Sequence, residues 1–215
     1  MTLAMSSRAT VYAILLVGGL VLLAFTSGAV AWARNELAYA GLVAQRDNED
    51  DPSRAAAIER YDREDHAVPA GATILLGDSI AFKAPFAGPC IANRGLGGER
   101  SDQLLANLER WPSLDRAGAV LIAVGTNDVW QRRPERLGKN VAAILARIDA
   151  PVFLVGLPAD LDGIAEANAV LRAACGDGCT FIDPAGARAG DGIHLSAEGY
   201  ARIAAIAPVD CRTRG

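Results

Sequence analysis

The sequence predicts a three-layer α/β/α domain on a five-stranded parallel sheet, preceded by an N-terminal transmembrane helix or signal segment. Three observations carry that expectation. From residue 72 onward, five short apolar or β-branched runs alternate with helical patterns. Glycines and polar residues follow those runs, as they would at the carboxyl ends of strands. Before all of this, residues 11–33 run without a single charge. Strands alternating with helices imply a parallel sheet covered on both faces, and near-continuous apolar strands fit that better than a sheet with one wet face.

The 23 residues of "VYAILLVGGLVLLAFTSGAVAWA", between Arg8 and Arg34, span ~35 Å as a helix, enough for a ~30 Å hydrocarbon core. "AVA" and "AWA" near its end offer the small residues that a signal peptidase reads, so the segment is either an anchor or a cleaved signal. Both alternatives carry the remainder across the membrane. The expected location is membrane-anchored with a periplasmic or extracellular domain, or secreted if the segment is cleaved. Residues 34–70 are expected to form a charged stalk. Its core, "RDNEDDPSRAAAIERYDRED", holds eight acidic and four basic residues, and Pro52-Ser53 offers a start for a short helix through Tyr61.

The domain is expected over residues 71–215. Its strands are "TILLGD" (73–78), "CIANRG" (90–95), "AVLIAVG" (119–125), "PVFLVG" (151–156) and "CTFID" (179–183). Its helices are "SDQLLANLERW" (101–111), "ERLGKNVAAILARI" (135–148), "LDGIAEANAVLRAAC" (161–175) and "SAEGYARIAAIA" (196–207). About ten residues separate Ser79 from Cys90, too few for a full crossover helix, so an irregular loop is expected there.

Function in an open parallel sheet collects beyond the carboxyl ends of the strands. The first three strands end in "GDS" (77–79), "GLGG" (95–98) and "GTND" (125–128), and "DGIHLS" (191–196) precedes the last helix. Singly, each is an ordinary turn. Together and in this order they resemble the four sequence blocks of the SGNH, or GDSL-type, esterase and lipase family, over residues 72–207. The resemblance implies a flavodoxin-like sheet and serine ester hydrolysis. It implies Ser79 as nucleophile, Asp191 and His194 as acid and base, and an oxyanion hole made by the Ser79 N–H, the Gly98 N–H and the Asn127 amide. Asp128 and Trp130 are candidates for the pocket wall.

The chemistry asks for the same residue types. A serine hydroxyl needs an adjacent base, and the chain has two histidines. His66 falls in the charged segment, where a surface role is expected; His194 falls on the functional edge. Asp191, three residues upstream, lies within reach of the second ring nitrogen. Relatives of this type need no metal or organic cofactor, and none is expected. The expected partners are a small-molecule, lipid or glycan ester and the membrane. A net charge of −4 and a pI near 5.2 argue against nucleic acid. The alternative is a catalytically silent, flavodoxin-like binding module at the membrane.

Four cysteines, an even count in a segment placed outside the cytoplasm, suggest disulfides. Cys175 ends a helix and Cys179 opens the next strand, so they are expected to pair. Cys90 and Cys211 are expected to pair at the same amino-end edge. Buried reduced thiols are the alternative.

Overall fold

The computed structural model describes residues 52–131, 134–158, 162–184, 187–189 and 191–209. All of them belong to one compact unit, Glu49–Gly215. The segment at residues 11–33 lies outside the described residues, among which no helix is long and apolar enough to cross a membrane.

Five strands form the sheet: β1 (Thr73–Gly77), β2 (Ile91–Gly95), β3 (Ala119–Ala123), β4 (Val152–Val155) and β5 (Thr180–Ile182). Every pairing is parallel and the order is β2-β1-β3-β4-β5, the flavodoxin-like order. Each strand matches an expected run and is trimmed at its ends. In register, Gly77 stands beside Gly95 on one side and Ala123 on the other. The chain therefore leaves β1, β2 and β3 at one level, and the loops beginning at residues 78, 96 and 124 share an edge.

Side-chain alternation along the strands builds two cores. On one face Ile74, Leu76, Val120, Ile122 and Leu154 pack under helices α3 (Ser101–Asn107), α5 (Leu137–Leu145) and α6 (Ile164–Cys175). On the other face Leu75, Leu121, Val155 and Ile182 pack under α7 (Ala197–Ile206), which contributes Tyr200 and Ile203. Each such side chain removed from water is worth roughly 1.5–3 kcal/mol, which is why the strands read as unbroken apolar runs.

Two short helices follow strands directly: α2 (Ser79–Phe82) after β1 and α4 (Thr126–Trp130) after β3. The first crossover is thus one helical turn and a loop, as its length requires. The expected helix at 101–111 stops at Asn107 and passes into a 3₁₀ turn at Leu108–Arg110, with another at Pro112–Arg116.

The segment expected to be a solvated stalk departs from that expectation after residue 51. Helix α1 (Pro52–Asp65) packs on the domain. The Tyr61 hydroxyl donates to the Gly95 carbonyl at 2.9 Å, and the ring meets Trp111 edge-on with centroids 6.3 Å apart. Asp65 is buried, accepting from the Ser113 N–H at 2.9 Å and the Ser113 hydroxyl at 2.5 Å. Charge density marked this segment as wet, but Ile58, Tyr61 and Asp65 share one helical face, and Asp65's partner lies 48 residues away. His66, just beyond α1, is exposed as expected.

Cys175 and Cys179 form a disulfide that closes the α6–β5 turn, as the sequence suggested. Cys90 is also disulfide-bonded; Cys211, its expected partner, lies outside the described residues.

Candidate active site

Gly77 sets the exit from β1. Its φ of +122° suits glycine, and a Cβ there would lie 1.9 Å from the Ala123 carbonyl oxygen. Asp78 follows as the N-cap of α2, its Oδ1 accepting from the Ile80 N–H at 2.9 Å. This fixes the first turn of α2 and presents Ser79 at its start. Three contacts hold α2 in place. The Asn93 amide donates to the Ala81 carbonyl at 2.8 Å, and the Tyr200 hydroxyl donates to the Ile80 carbonyl at 2.9 Å. Below them, β2 comes so close that a Cβ on Gly95 would sit 2.2 Å from the Phe82 backbone nitrogen.

His194 arrives from the loop before α7. The Ala189 N–H donates to the His194 carbonyl at 2.7 Å, and Gly192 takes the left-handed φ of +71° that closes the turn. Asp191 holds this turn through Oδ1, which accepts the backbone N–H groups of Ile193 at 3.0 Å and His194 at 2.9 Å. Its other oxygen lies 2.6 Å from His194 Nδ1, and His194 Nε2 lies 2.9 Å from Ser79 Oγ. Carboxylate, imidazole and hydroxyl form one continuous chain. The Asp191 carboxyl is held well below the ordinary carboxylate range, first by the His194 backbone N–H, then by the His194 ring and the Ile193 N–H. It is therefore ionised at neutral pH.

The third and fourth expected contributors sit on the same edge. Gly98 occupies the loop after β2 with φ +76°, and Asn127 is buried in α4, its amide donating to the Glu99 carbonyl at 3.0 Å. Asn127 thereby ties the loop of Gly98 to the end of β3.

Asp128 and Trp130, expected on the pocket wall, are both buried. Asp128 accepts from the Ser101 N–H at 3.0 Å and the Ser101 hydroxyl at 2.5 Å, so it anchors the start of α3. Burial pushes its carboxyl up to about 6 against the pull of those bonds. Its position beside Asn127 suggested the pocket; its charge needed partners that only the α3 terminus supplies.

The sequence reading did not single out Lys83, Glu99 or Arg54. Lys83 Nζ lies 3.2 Å from both ring nitrogens of His194. Its position four residues after Ser79, on the next helical turn, was the available signal. Glu99, directly after Gly98, is fully buried; its Oε1 accepts from Arg54 of α1 and from Asn107 of α3, each at 2.9 Å. Nothing local in the sequence pairs residue 54 with residue 99. Among the described residues, no cluster of three or more His, Cys, Asp or Glu side chains could hold a metal ion.

Ser79, His194 and Asp191 thus form one contact chain at the carboxyl edge of a parallel sheet, with the Gly98 loop and the buried Asn127 on the same edge. Residues 75–202 match the model of the GDSL-like lipase/acylhydrolase family, and the chain belongs to that family. No curated protein matches it. Among solved structures it is similar to a GDSL-like lipase from Bacteroides thetaiotaomicron, with 20% identity, a TM-score of 0.58, and 69% of this chain and 93% of that chain covered. It is also similar to an acetylxylan esterase from Geobacillus stearothermophilus, at 15% identity, TM-score 0.52, and 65% and 93% coverage. A lipase/acylhydrolase from Enterococcus faecalis aligns at 20% identity, TM-score 0.52, and 62% and 91% coverage. Helix α1 precedes the region that the family model matches.

Proposed function

We propose that this protein is a serine ester hydrolase in which Ser79, His194 and Asp191 act as a triad and the reaction passes through an acyl-enzyme. The observation that carries the reading is the unbroken contact chain from Asp191 Oδ2 to Ser79 Oγ, at 2.6 and 2.9 Å. As Ser79 Oγ attacks the ester carbonyl, its proton passes to His194 Nε2, and Asp191 stabilises the resulting imidazolium. The carbonyl oxygen becomes an oxyanion. The Ser79 and Gly98 N–H groups and the second N–H of the Asn127 amide are its assigned donors, each worth about 10²–10³ in turnover. Collapse breaks the bond to the leaving oxygen, which takes the proton from His194. Water then gives a proton to His194 and attacks the acyl carbon, releasing the acid and returning the proton to Ser79.

The short first crossover favours one substrate class. A short loop between Ser79 and Cys90 leaves one side of the site accessible and suits a small acyl group such as acetyl, on envelope glycan or on lysophospholipid. The uncharged stretch at 11–33 supports export or a membrane tether, and the half-cystines fit an oxidising compartment.

A fluorophosphonate probe tests the reading. The wild type is expected to label, and Ser79→Ala to lose all label while keeping its circular dichroism. A folded wild type that takes no label refutes the hydrolase reading.

A further inference from the structure

Lys83 occupies an unusual place for a cation. Its ammonium is 3.2 Å from both ring nitrogens of His194. An in-plane point that far from both would collide with a ring carbon, so the ammonium lies on the face of the imidazole. In the plane, Nδ1 is already engaged by Asp191 and Nε2 by Ser79. Among the described residues no carboxylate pairs with Lys83.

This arrangement opposes the reaction as it stands. The imidazole acquires positive charge when it takes the Ser79 proton, and a second cation on its face repels that charge. A group that drew the ammonium off the ring would both bind and remove the repulsion. The position tells where that group belongs. In ester hydrolysis of this type His194 hands its proton to the leaving oxygen, so the leaving group lies beside the imidazole, and Lys83 with it.

An apolar side chain stands next to Lys83. Its neighbour Phe82, a large exposed apolar side chain, faces a groove of about 670 Å³ between α1 and the loop of Leu96 and Gly97. The charged residues lining that groove are Arg54, Arg60 and Arg63, and each has a carboxylate partner, Glu99 at 2.9 Å, Glu64 at 3.9 Å and Glu59 at 3.9 Å, so the cation that stands beside the imidazole is Lys83.

The geometry points to Lys83 as a specificity residue that receives a negatively charged leaving group, making anionic esters the preferred substrates. The inference rests on the ester-hydrolase reading. The shared chemistry is a carboxylate or phosphate on the alcohol side of the ester, whether on a small molecule or on a lipid headgroup.

The test compares kcat/KM for 3-acetoxybenzoate and its neutral isostere 3-acetoxybenzamide, in wild type, Lys83→Met and Lys83→Arg. The wild type is expected to prefer the anionic ester by about fivefold or more, the scale of a charge-assisted contact near the surface. Lys83→Met is expected to bring that ratio close to one, and Lys83→Arg to retain most of it. Raising salt is expected to shrink the wild-type preference. A second pair, lysophosphatidylglycerol against the monoacylglycerol of the same chain, distinguishes the sources. Discrimination in both pairs supports the inference with a lipid headgroup, and discrimination in the soluble pair alone supports it with a small ester. A wild type that hydrolyses the soluble pair without preference, or a Lys83→Met variant that keeps the wild-type ratio, overturns this inference and leaves the hydrolase reading intact. A wild type that hydrolyses no ester overturns both.

Discussion

Glu99 is the point where folding, pH and the oxyanion loop meet, and it yields a number. Its carboxyl is fully buried, with Oε1 bonded to Arg54 and Asn107 and, among the described residues, no hydrogen-bond partner for Oε2. Burial pushes it from 4.5 up to about 7, against the attraction of Arg54 and with some help from Asp78. The sign follows from proton counting. Between 4.5 and about 7 the unfolded chain has released this proton while the native protein keeps it. Stability from this group is therefore complete below 4.5 and lost as pH rises through about 7. At about 1.36 kcal/mol per pH decade the loss is roughly 3 kcal/mol, of which about 2.5 falls between pH 5 and pH 8. Glu99→Gln replaces the group with a neutral isostere that still offers an acceptor to Arg54 and Asn107. The variant is expected to exceed the wild type by about 1 kcal/mol at pH 5 and by about 3 kcal/mol at pH 8. Urea midpoints followed through the buried Trp111 measure this. Asp128, also pushed up by burial, contributes to both proteins and cancels in the difference. A gap between variant and wild type that is the same at both pH values refutes the reasoning.

Two further outcomes follow from the site. Asp191→Asn presents an amide to His194 Nδ1 and favours the tautomer whose proton faces Ser79. Turnover of p-nitrophenyl acetate is expected to fall about 10³–10⁴-fold with native circular dichroism, and a fall of less than tenfold counts against the carboxylate's role. Gly95→Ala sets a Cβ 2.2 Å from the Phe82 nitrogen, so α2 must move. A destabilisation of about 1–3 kcal/mol by urea unfolding, together with loss of fluorophosphonate labelling, is expected; unchanged labelling would mean that β2 does not hold α2 in place.

The sheet was legible because its signals are local. Each buried strand is a run of apolar residues ended by glycine or a turn former, and hydrophobicity reads directly along such a run. Ser79, Gly98, Asn127, Asp191 and His194 were singled out from four short blocks that resemble one family, and the fold brings three of them, Ser79, His194 and Asp191, into contact. The Cys175–Cys179 bond spans four residues and needed no long-range information.

Other features depended on distance in the chain. The polarity of residues 52–65 says solvent, yet α1 lies on the domain because Tyr61 finds Gly95 and Asp65 finds Ser113. Asp128 looked like a pocket residue until α3 supplied its partner. Glu99 acquires its raised carboxyl only when α1 and α3 close over it, and Lys83 reaches the imidazole only when residue 194 is brought to residue 83. Composition and spacing determined which groups this protein carries and on which edge of the sheet they stand. Tertiary structure alone decided which charges are buried and paired, because desolvation and Coulomb energies depend on neighbours that the chain order does not reveal.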